Sequence, residues 1–115
     1  MSEFDTMKGN SGQPEGYSLF GDPLYAVKYP ADTEARFLAN LDHAVQRVKA
    51  NPGDEDAIVW HGRRLGYLTR YREAIDVYTQ GLKLFPNSFI LLRHRGHRLI
   101  SIRRFAEAES DYLRA

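Results

Sequence analysis

The chain repeats itself with a period of 34 residues, so that residues 55–81 align with residues 89–115. Seven of the 27 aligned columns are identical, whereas random pairing at ordinary residue frequencies gives about one or two. The identical pairs are Gly62/Gly96, Arg64/Arg98, Leu65/Leu99, Arg70/Arg104, Glu73/Glu107, Ala74/Ala108 and Tyr78/Tyr112. A repeat of this length restricts the fold to one supersecondary unit stacked on its own copies, since a single unit cannot bury its apolar face alone.

Each copy of the repeat predicts two helices joined by a short turn. In the first copy, apolar residues recur at helical spacing over residues 54–68 and again over residues 71–84. The first residue of the first stretch is an aspartate that can cap the helix, and Pro86 ends the second helix. A glycine inside a helix costs about 1 kcal/mol relative to alanine. Gly62 and Gly96 therefore indicate close packing between the two helices of each copy.

One more amphipathic helix is predicted upstream, at residues 33–50, with Asp32 as its cap. It has the register of the second helix of a preceding repeat and is expected to cover the first repeat. The residues before it are rich in Gly, Pro and Ser, which predicts no regular structure. The predicted organisation is a loosely structured segment at residues 1–31, a packing helix at 32–51, a first repeat at 54–87 and a second repeat at 88–115. The second repeat lacks its C-terminal end, so we expect a fragment of a longer array.

The repeated positions resemble the tetratricopeptide repeat, a helix–turn–helix unit with a glycine in its first helix, an alanine and an aromatic residue in its second, and a closing proline. The matching residues are Gly62, Ala74, Tyr78, Gly81, Pro86, Gly96, Ala108, Tyr112 and Ala115. The resemblance implies an all-α fold: a helix–turn–helix repeat solenoid of two such hairpins plus the preceding packed helix. His61 and Arg95 stand where the family has leucine. These two side chains are expected to extend toward solvent or to bind acids such as Asp76 or Asp111.

The resemblance also implies that the first helices of the repeats line a concave face on which extended peptides bind. Carried over column by column, the predicted peptide-binding residues are Val59, Arg63, Tyr67, Arg93, His97 and Ile100. The planar guanidinium of arginine matches a carboxylate in a bidentate way. The predicted function is therefore a non-enzymatic protein–protein interaction module that binds an acidic peptide or protein segment. The alternative for these arginines is a solvated face, or pairing with neighbouring acids.

The basic middle of the chain leaves two further kinds of partner open. Residues 61–104 hold ten lysines and arginines against two acids, and a run of arginines resembles a phosphate-binding stripe for nucleic acid. The arginines of this run are Arg93, Arg95, Arg98, Arg103 and Arg104. The first three point in different directions on a helix, which argues against one continuous nucleic-acid face. The other alternative is self-association through the last helix, by Phe105, Ala108 and Tyr112.

The sequence gives little support to metal binding, catalysis or membrane insertion. His61, His94 and His97 lie near one another in the repeat register, but the chain has no cysteine and no acidic column there to complete a metal site. No phosphate loop, G-x-S-x-G or H-E-x-x-H motif occurs, so neither an enzyme nor a cofactor is predicted. No apolar run is long enough to span a membrane. A cytoplasmic protein is expected, since cysteine and a recognisable secretory signal are both missing.

Overall fold

The computed structural model describes residues 12–115, and this part of the chain is an all-α repeat structure with one short hairpin before it. The elements are β1 (Gly16–Tyr17), β2 (Pro23–Leu24), α1 (Ala31–Ala50), α2 (Glu55–Tyr67), α3 (Tyr71–Leu84), α4 (Phe89–Ser101) and α5 (Phe105–Arg114). The predicted fold class is confirmed, because α2–α3 and α4–α5 form two helical hairpins and α1 precedes them. Of the helices in residues 12–115, none combines the length and the apolar character that crossing a membrane requires.

The ends of the first helices follow the repeat. Asp54 caps α2 by accepting a hydrogen bond from the backbone N–H of Ala57 at 3.3 Å, which confirms the predicted cap. Ser88 caps α4 in the same way. The turn after each of these helices contains a residue with a positive φ, 56° at Thr69 and 69° at Arg103. The two turns are one repeat apart and therefore send α3 and α5 back along their partners in the same way.

Helix α1 begins earlier than the sequence predicts. It starts at Ala31, directly after Pro30, and no side chain caps it. The prediction of Asp32 as the cap is therefore wrong: Asp32 lies in the first turn of the helix. Its carboxylate there has a favourable interaction with the positive end of the helix dipole. The reason for the early start is that proline fits the position before a helix, where its missing N–H and fixed φ cost nothing.

Each helix packs against the next one along the chain, and α2 also contacts α4. The main buried cluster joins α1 to the first repeat and to the start of α4. Its members with the least exposure are Leu41, Tyr78, Leu91 and Leu92. A smaller cluster of Ile75, Leu99, Ile102 and Ala108 holds the second repeat to α3. Helix α1 therefore covers the first repeat, as its register predicts.

Glycine allows the two helices of each hairpin to approach closely. A Cβ atom at Gly62 would lie 2.1 Å from Cε1 of Tyr78, and a Cβ atom at Gly96 would lie 3.1 Å from Cζ of Tyr112. The tyrosine of the second helix thus lies over the glycine of the first in both repeats. Tyr78 is 1% exposed and Tyr112 is 36% exposed. Helix α4 packs on α3, where Tyr78 belongs to the main buried cluster and His94 stacks on its ring.

The segment before α1, residues 12–30 in its described part, packs against the repeats, whereas the sequence predicts a loosely structured segment at residues 1–31. Strands β1 and β2 pair in an antiparallel hairpin. A Cβ atom at Gly16 would lie 2.7 Å from Cβ of Ile102, so the hairpin packs directly on the turn between α4 and α5. Leu19 and Phe20 at the hairpin tip are 80% and 94% exposed. Residues 1–11 lie outside the described part of the chain.

Residues 15–29, termed the strap, run across the turns of both repeats. Three polar contacts fix the strap: the backbone N–H of Arg72 donates to Glu15 Oε1 at 3.2 Å, Val27 N donates to Thr69 Oγ1 at 2.6 Å, and Tyr29 Oη donates to the Tyr67 carbonyl at 2.9 Å. Glu15 is 5% exposed. Its carboxylate binds an N–H at the start of α3 that has no partner within the helix. Composition did not reveal the strap because its partners lie 38 to 57 residues away along the chain.

Candidate peptide-binding face

The first helices of the two repeats, α2 and α4, contact each other and form one side of the molecule, termed the α2–α4 face. Five predicted site residues have side chains that reach the surface on these helices: Arg63, Tyr67, Arg93, His97 and Ile100. Tyr67 is 42% exposed and Ile100 is 39% exposed. The face therefore offers apolar as well as basic groups.

The prediction of Val59 as a peptide contact is wrong. Val59 is 3% exposed and belongs to the same buried cluster as Leu38 and Leu41 of α1. The repeat register places residue 59 on the open face of an array. In this chain α1 packs on α2, and residue 59 is valine, whose burial between these helices is favourable.

Helix α2 presents two arginines on aromatic rings. The guanidinium carbon of Arg63 lies 4.1 Å from the ring centroid of Trp60, and that of Arg64 lies 4.8 Å from the same centroid. Arg63 Nη2 also donates a hydrogen bond to Tyr67 Oη at 2.9 Å. Trp60 and Arg64 were missed by the column-by-column prediction. Their spacing from Tyr67, at i+7 and i+3, was the signal in the sequence, since residues three, four and seven apart share one side of a helix.

A row of rings crosses from the first repeat to the second. Tyr78 and His94 stack with centroids 5.9 Å apart, His94 and His97 are 6.1 Å apart, and His97 and Tyr112 are 5.7 Å apart. Burial lowers the pKa of His94, and the charge of Arg63 lowers it further. Burial also lowers the pKa of His97. Both imidazoles therefore favour the neutral form near pH 7, and the fixed positive charge of this region is carried by arginine.

Five of the twelve arginines in residues 12–115 form ion pairs with carboxylates, and the other seven, which include Arg63, Arg64 and Arg93, do not. The paired arginines are Arg47, Arg70, Arg72, Arg95 and Arg104. Within the same residues, Arg63, Arg64 and Arg93 form no ion pair; they contact Trp60 and Tyr67 or, for Arg93, the ring of Phe89 at 5.7 Å. Within this part of the chain, Arg63 and Arg93 therefore do not pair with neighbouring acids, although such pairing was one of the alternatives left open by the sequence.

Arg95 has a structural role inside the second repeat. Its Nε and Nη2 atoms donate to the two carboxylate oxygens of Asp111, each at 2.7 Å, and Asp111 is 3% exposed. This hydrogen bonding raises the pKa of Arg95. Of the two outcomes expected for Arg95, extension toward solvent or binding to an acid, the structure shows the second, with Asp111 as the acid. In the first repeat, the aligned positions are His61 and Val77, so one repeat uses an ion pair where the other does not.

The contacts of the arginines on α4 and in the turn after it argue against a nucleic-acid-binding surface. Of the five arginines considered for it, Arg95 binds Asp111 and Arg104 forms an ion pair with Glu107. Arg98 lies over the ring of Tyr71, 5.2 Å from its centroid. The run therefore does not present five free cations along one stripe, as a phosphate-binding surface for nucleic acid requires.

Two further sequence predictions concern histidines and the last helix. Within residues 12–115, no three His, Asp or Glu side chains come together as metal ligands do. On α5, Phe105 is 47% and Tyr112 36% exposed, but Ala108 is 2% exposed in the buried cluster of the second repeat. Ala108 is therefore not available to a partner, which corrects its inclusion. Self-association through Phe105 and Tyr112 stays a prediction.

The fold is that of a helical repeat solenoid with two helix–turn–helix hairpins, as the tetratricopeptide resemblance implies. No family model matches the chain, and no curated protein matches it. Two solved structures of MamA, a helical repeat protein, are similar to it. They are described as MamA MSR-1 C2, with a TM-score of 0.63, and MamA AMB-1 C2221, with a TM-score of 0.62. Both are 23% identical over 71% of this chain, which spans about half of the MamA chains, 47% and 48%. At this identity the similarity shows the fold alone.

Proposed function

We propose that the chain is a protein–protein interaction module that binds an acidic peptide or protein segment on the α2–α4 face, and that it is not an enzyme. The observation that carries the proposal is that Arg63 and Arg93 lie on this face without a carboxylate partner in the described part of the chain. Ion pairs hold Arg47, Arg70, Arg72, Arg95 and Arg104, whereas Arg63 and Arg93 have no carboxylate partner in residues 12–115. A helical repeat fold, shared with MamA, is consistent with a scaffold that binds other proteins.

Each arginine of the proposed face is restrained before any ligand arrives. Arg63 is stacked on Trp60 and hydrogen-bonded to Tyr67, and Arg93 lies over Phe89. Stacking on an aromatic ring leaves the edge of the guanidinium, where the N–H groups are, free to bind a carboxylate. Because the side chains are already ordered, binding loses less conformational entropy than it would with mobile arginines.

Apolar groups on the same face add contacts that do not depend on charge. Tyr67 and Ile100 are both partly exposed. The His97 ring lies 5.7 Å from that of Tyr112 at an angle of 56°, and burial lowers the pKa of His97. A segment with carboxylates and an apolar side chain would therefore fit this face better than a uniformly acidic one. We assign the carboxylate contacts to Arg63 and Arg93, and the apolar contacts to Tyr67, His97 and Ile100.

The proposal is tested with fluorescein-labelled acidic peptides and measured by fluorescence anisotropy. The pool should contain peptides of about ten residues that carry Asp or Glu with and without interspersed Leu or Phe. A variant with Arg63→Glu and Arg93→Glu should weaken binding by at least about tenfold, since each lost charge-assisted contact is worth about 1.5–3 kcal/mol. The matched control is Arg114→Glu, which reverses an exposed arginine at the far end of α5.

The same variants separate this function from nucleic-acid binding. A protein partner captured from a lysate should survive nuclease treatment and be lost from the double variant. Binding that disappears with nuclease, or that weakens equally for Arg103→Glu, would replace the proposal with the nucleic-acid function. Acidic peptides that bind wild type and the double variant equally would refute the assignment of the face.

A further inference from the structure

We infer that α2 carries a site for a phosphoryl group, formed by Arg63, Arg64 and the hydroxyl of Tyr67 around the ring of Trp60. The ligand class is a phosphate monoester, as on a phosphorylated Ser or Thr side chain of the bound segment. The inference rests on the proposed function and extends it, because Arg63 belongs to both sites while Arg64 belongs only to this one.

The two guanidinium groups converge on one ring. Consecutive residues on a helix normally point about 100° apart and do not face each other. Arg63 and Arg64 nevertheless lie 4.1 and 4.8 Å from the same Trp60 centroid, and 5.9 and 5.7 Å from the Tyr67 centroid. Their guanidinium carbons are therefore no more than about 9 Å apart, and N–H donors reach anionic oxygens at about 2.7–2.9 Å. In the proposed site, one phosphoryl group at the edge of the Trp60 ring accepts hydrogen bonds from both arginines.

Charge decides between a phosphate and a carboxylate. Within residues 12–115, no carboxylate forms an ion pair with Arg63 or Arg64, so two positive charges lie close together without a paired counter-charge. A carboxylate carries one negative charge, whereas a phosphate monoester carries about −1.5 to −2 at pH 7 and has three acceptor oxygens. The monoester therefore matches the site in both charge and number of acceptors.

Tyr67 supplies a third donor to the site. Its hydroxyl oxygen accepts the hydrogen bond from Arg63 Nη2, which leaves the hydroxyl proton to donate elsewhere. The residue is 42% exposed, and its carbonyl is held by Tyr29 of the strap at 2.9 Å. The strap thus fixes the end of α2 at which this donor lies.

The repeat by itself does not impose this arrangement. Arg98 is the counterpart of Arg64 in the second repeat, and it lies over Tyr71 with its Nε atom buried and without a partner. Trp60 is the single tryptophan of the chain, and its counterpart is His94. A bound nucleic acid would not use the site in the same way, because a phosphodiester has one charge and the ring of Trp60 already stacks with two arginines rather than with bases.

The single tryptophan makes the site directly observable. N-acetyl-O-phosphoserine amide is titrated into the whole chain while the emission of Trp60 is followed, with N-acetylglutamate amide and dimethyl phosphate as the carboxylate and phosphodiester probes. We expect saturable changes with phosphoserine at concentrations at least about tenfold below those needed for the other two probes, since one more charge-assisted contact is worth at least about 1.4 kcal/mol. Equal responses to phosphoserine and glutamate would overturn the inference.

Arg64 is the residue that separates this site from the proposed peptide face. Arg64→Ala should remove the preference for phosphoserine, and Arg114→Ala should leave it unchanged, with the helical content of both verified by circular dichroism. A phosphoserine preference that survives Arg64→Ala would also overturn the inference. If acidic peptides bind through Arg93 with no gain on phosphorylation, the proposed function stands and the phosphoryl site is wrong. If no acidic peptide binds in either form, both are wrong.

Discussion

Replacing Gly62 by alanine tests the packing that defines each helical hairpin. The new Cβ atom would lie 2.1 Å from Cε1 and 2.3 Å from Cζ of Tyr78, far inside van der Waals contact. Tyr78 is 1% exposed and stacks with His94, so its ring has no free space into which to move. Gly96→Ala is the matched control. There the closest approach is 3.1 Å, to the ring of Tyr112, which is partly exposed and can shift by the few tenths of an ångström required.

Two opposing contributions determine how much each substitution changes the free energy of unfolding. Replacing glycine by alanine inside a helix stabilises by about 1 kcal/mol at both positions. Overpacking destabilises the folded state by about 1–3 kcal/mol. At Gly62 the added methyl also displaces the fully buried Tyr78 ring, which loses packing contacts of its own. The destabilisation there therefore approaches the roughly 3 kcal/mol of a large truncation in the core. Gly62→Ala should therefore lower the free energy of unfolding by about 2 kcal/mol. Gly96→Ala should change it by less than about 1 kcal/mol.

Urea-induced unfolding, followed by far-ultraviolet circular dichroism, measures both changes. The slope of the free energy with denaturant should stay constant, because neither substitution alters the surface exposed on unfolding. Equal effects at the two glycines would refute the reasoning, since the distances to the tyrosine rings differ by about 1 Å while helix propensity is the same. Stabilisation by Gly62→Ala would show that the Tyr78 ring does not pack on α2 as described.

Three further changes probe the ion pairs and the histidines. Asp111→Ala should destabilise the fold by roughly 3 kcal/mol because it leaves Arg95 partly buried without its partner, and adding Arg95→Leu should recover more than half of that loss in the same urea assay. Burial lowers the pKa of His61 in the folded chain, so the unfolded chain binds a proton at this residue more readily. The free energy of unfolding should therefore fall as the pH decreases from about 7.5 to 5.5. The variant His61→Gln should show a smaller decrease over the same pH range. Glu15→Gln should accelerate hydrogen exchange at the Arg72 amide, which donates to that carboxylate.

Each of these outcomes has a result that would contradict it. If Asp111→Ala and the double variant with Arg95→Leu were equally stable, the loss of stability would not come from leaving Arg95 without its partner. An unchanged pH dependence in His61→Gln would mean that this histidine does not couple to folding. Unchanged exchange in Glu15→Gln, measured beside an amide in the middle of α3, would show that the strap is held by its other contacts.

The sequence predicted the repeat architecture well because the signals for it are local or periodic. The 34-residue period, the aspartate cap at residue 54 and the glycine–tyrosine columns each depend on residues within one hairpin. The pairing of Arg95 with Asp111 was one of the outcomes that the sequence left open, and it was within reach of sequence reasoning because the two residues are 16 apart and lie on the two helices of one hairpin. Local propensity and tertiary packing agree at these positions, as a minimally frustrated fold requires.

The candidate site was predictable only in part. The column positions of Arg63, Arg93 and His97 follow from the repeat, and their exposure follows from their polarity. Two positions needed the structure: Val59 is buried beneath α1, and Trp60 brings Arg63 and Arg64 together. Both effects depend on how side chains and helices pack, which spacing along a sequence does not specify.

By itself, the sequence determined that this chain is a helical repeat with a basic middle. Helical periodicity, helix caps and local composition each depend on residues that are close together along the chain, so they can be recognised without the structure. Only the tertiary structure decided that Arg72 is paired, because its partner Glu15 is 57 residues away along the chain and is brought near by folding. Arg70 and Arg104, in contrast, bind glutamates only three residues away along the chain. The strap depends on the same long-range contacts, since Glu15 reaches α3 only once the repeats have assembled. An ion pair requires its N and O atoms to lie within about 4 Å of each other, so long-range pairs such as Arg72–Glu15 depend on distances that exist only in the folded chain.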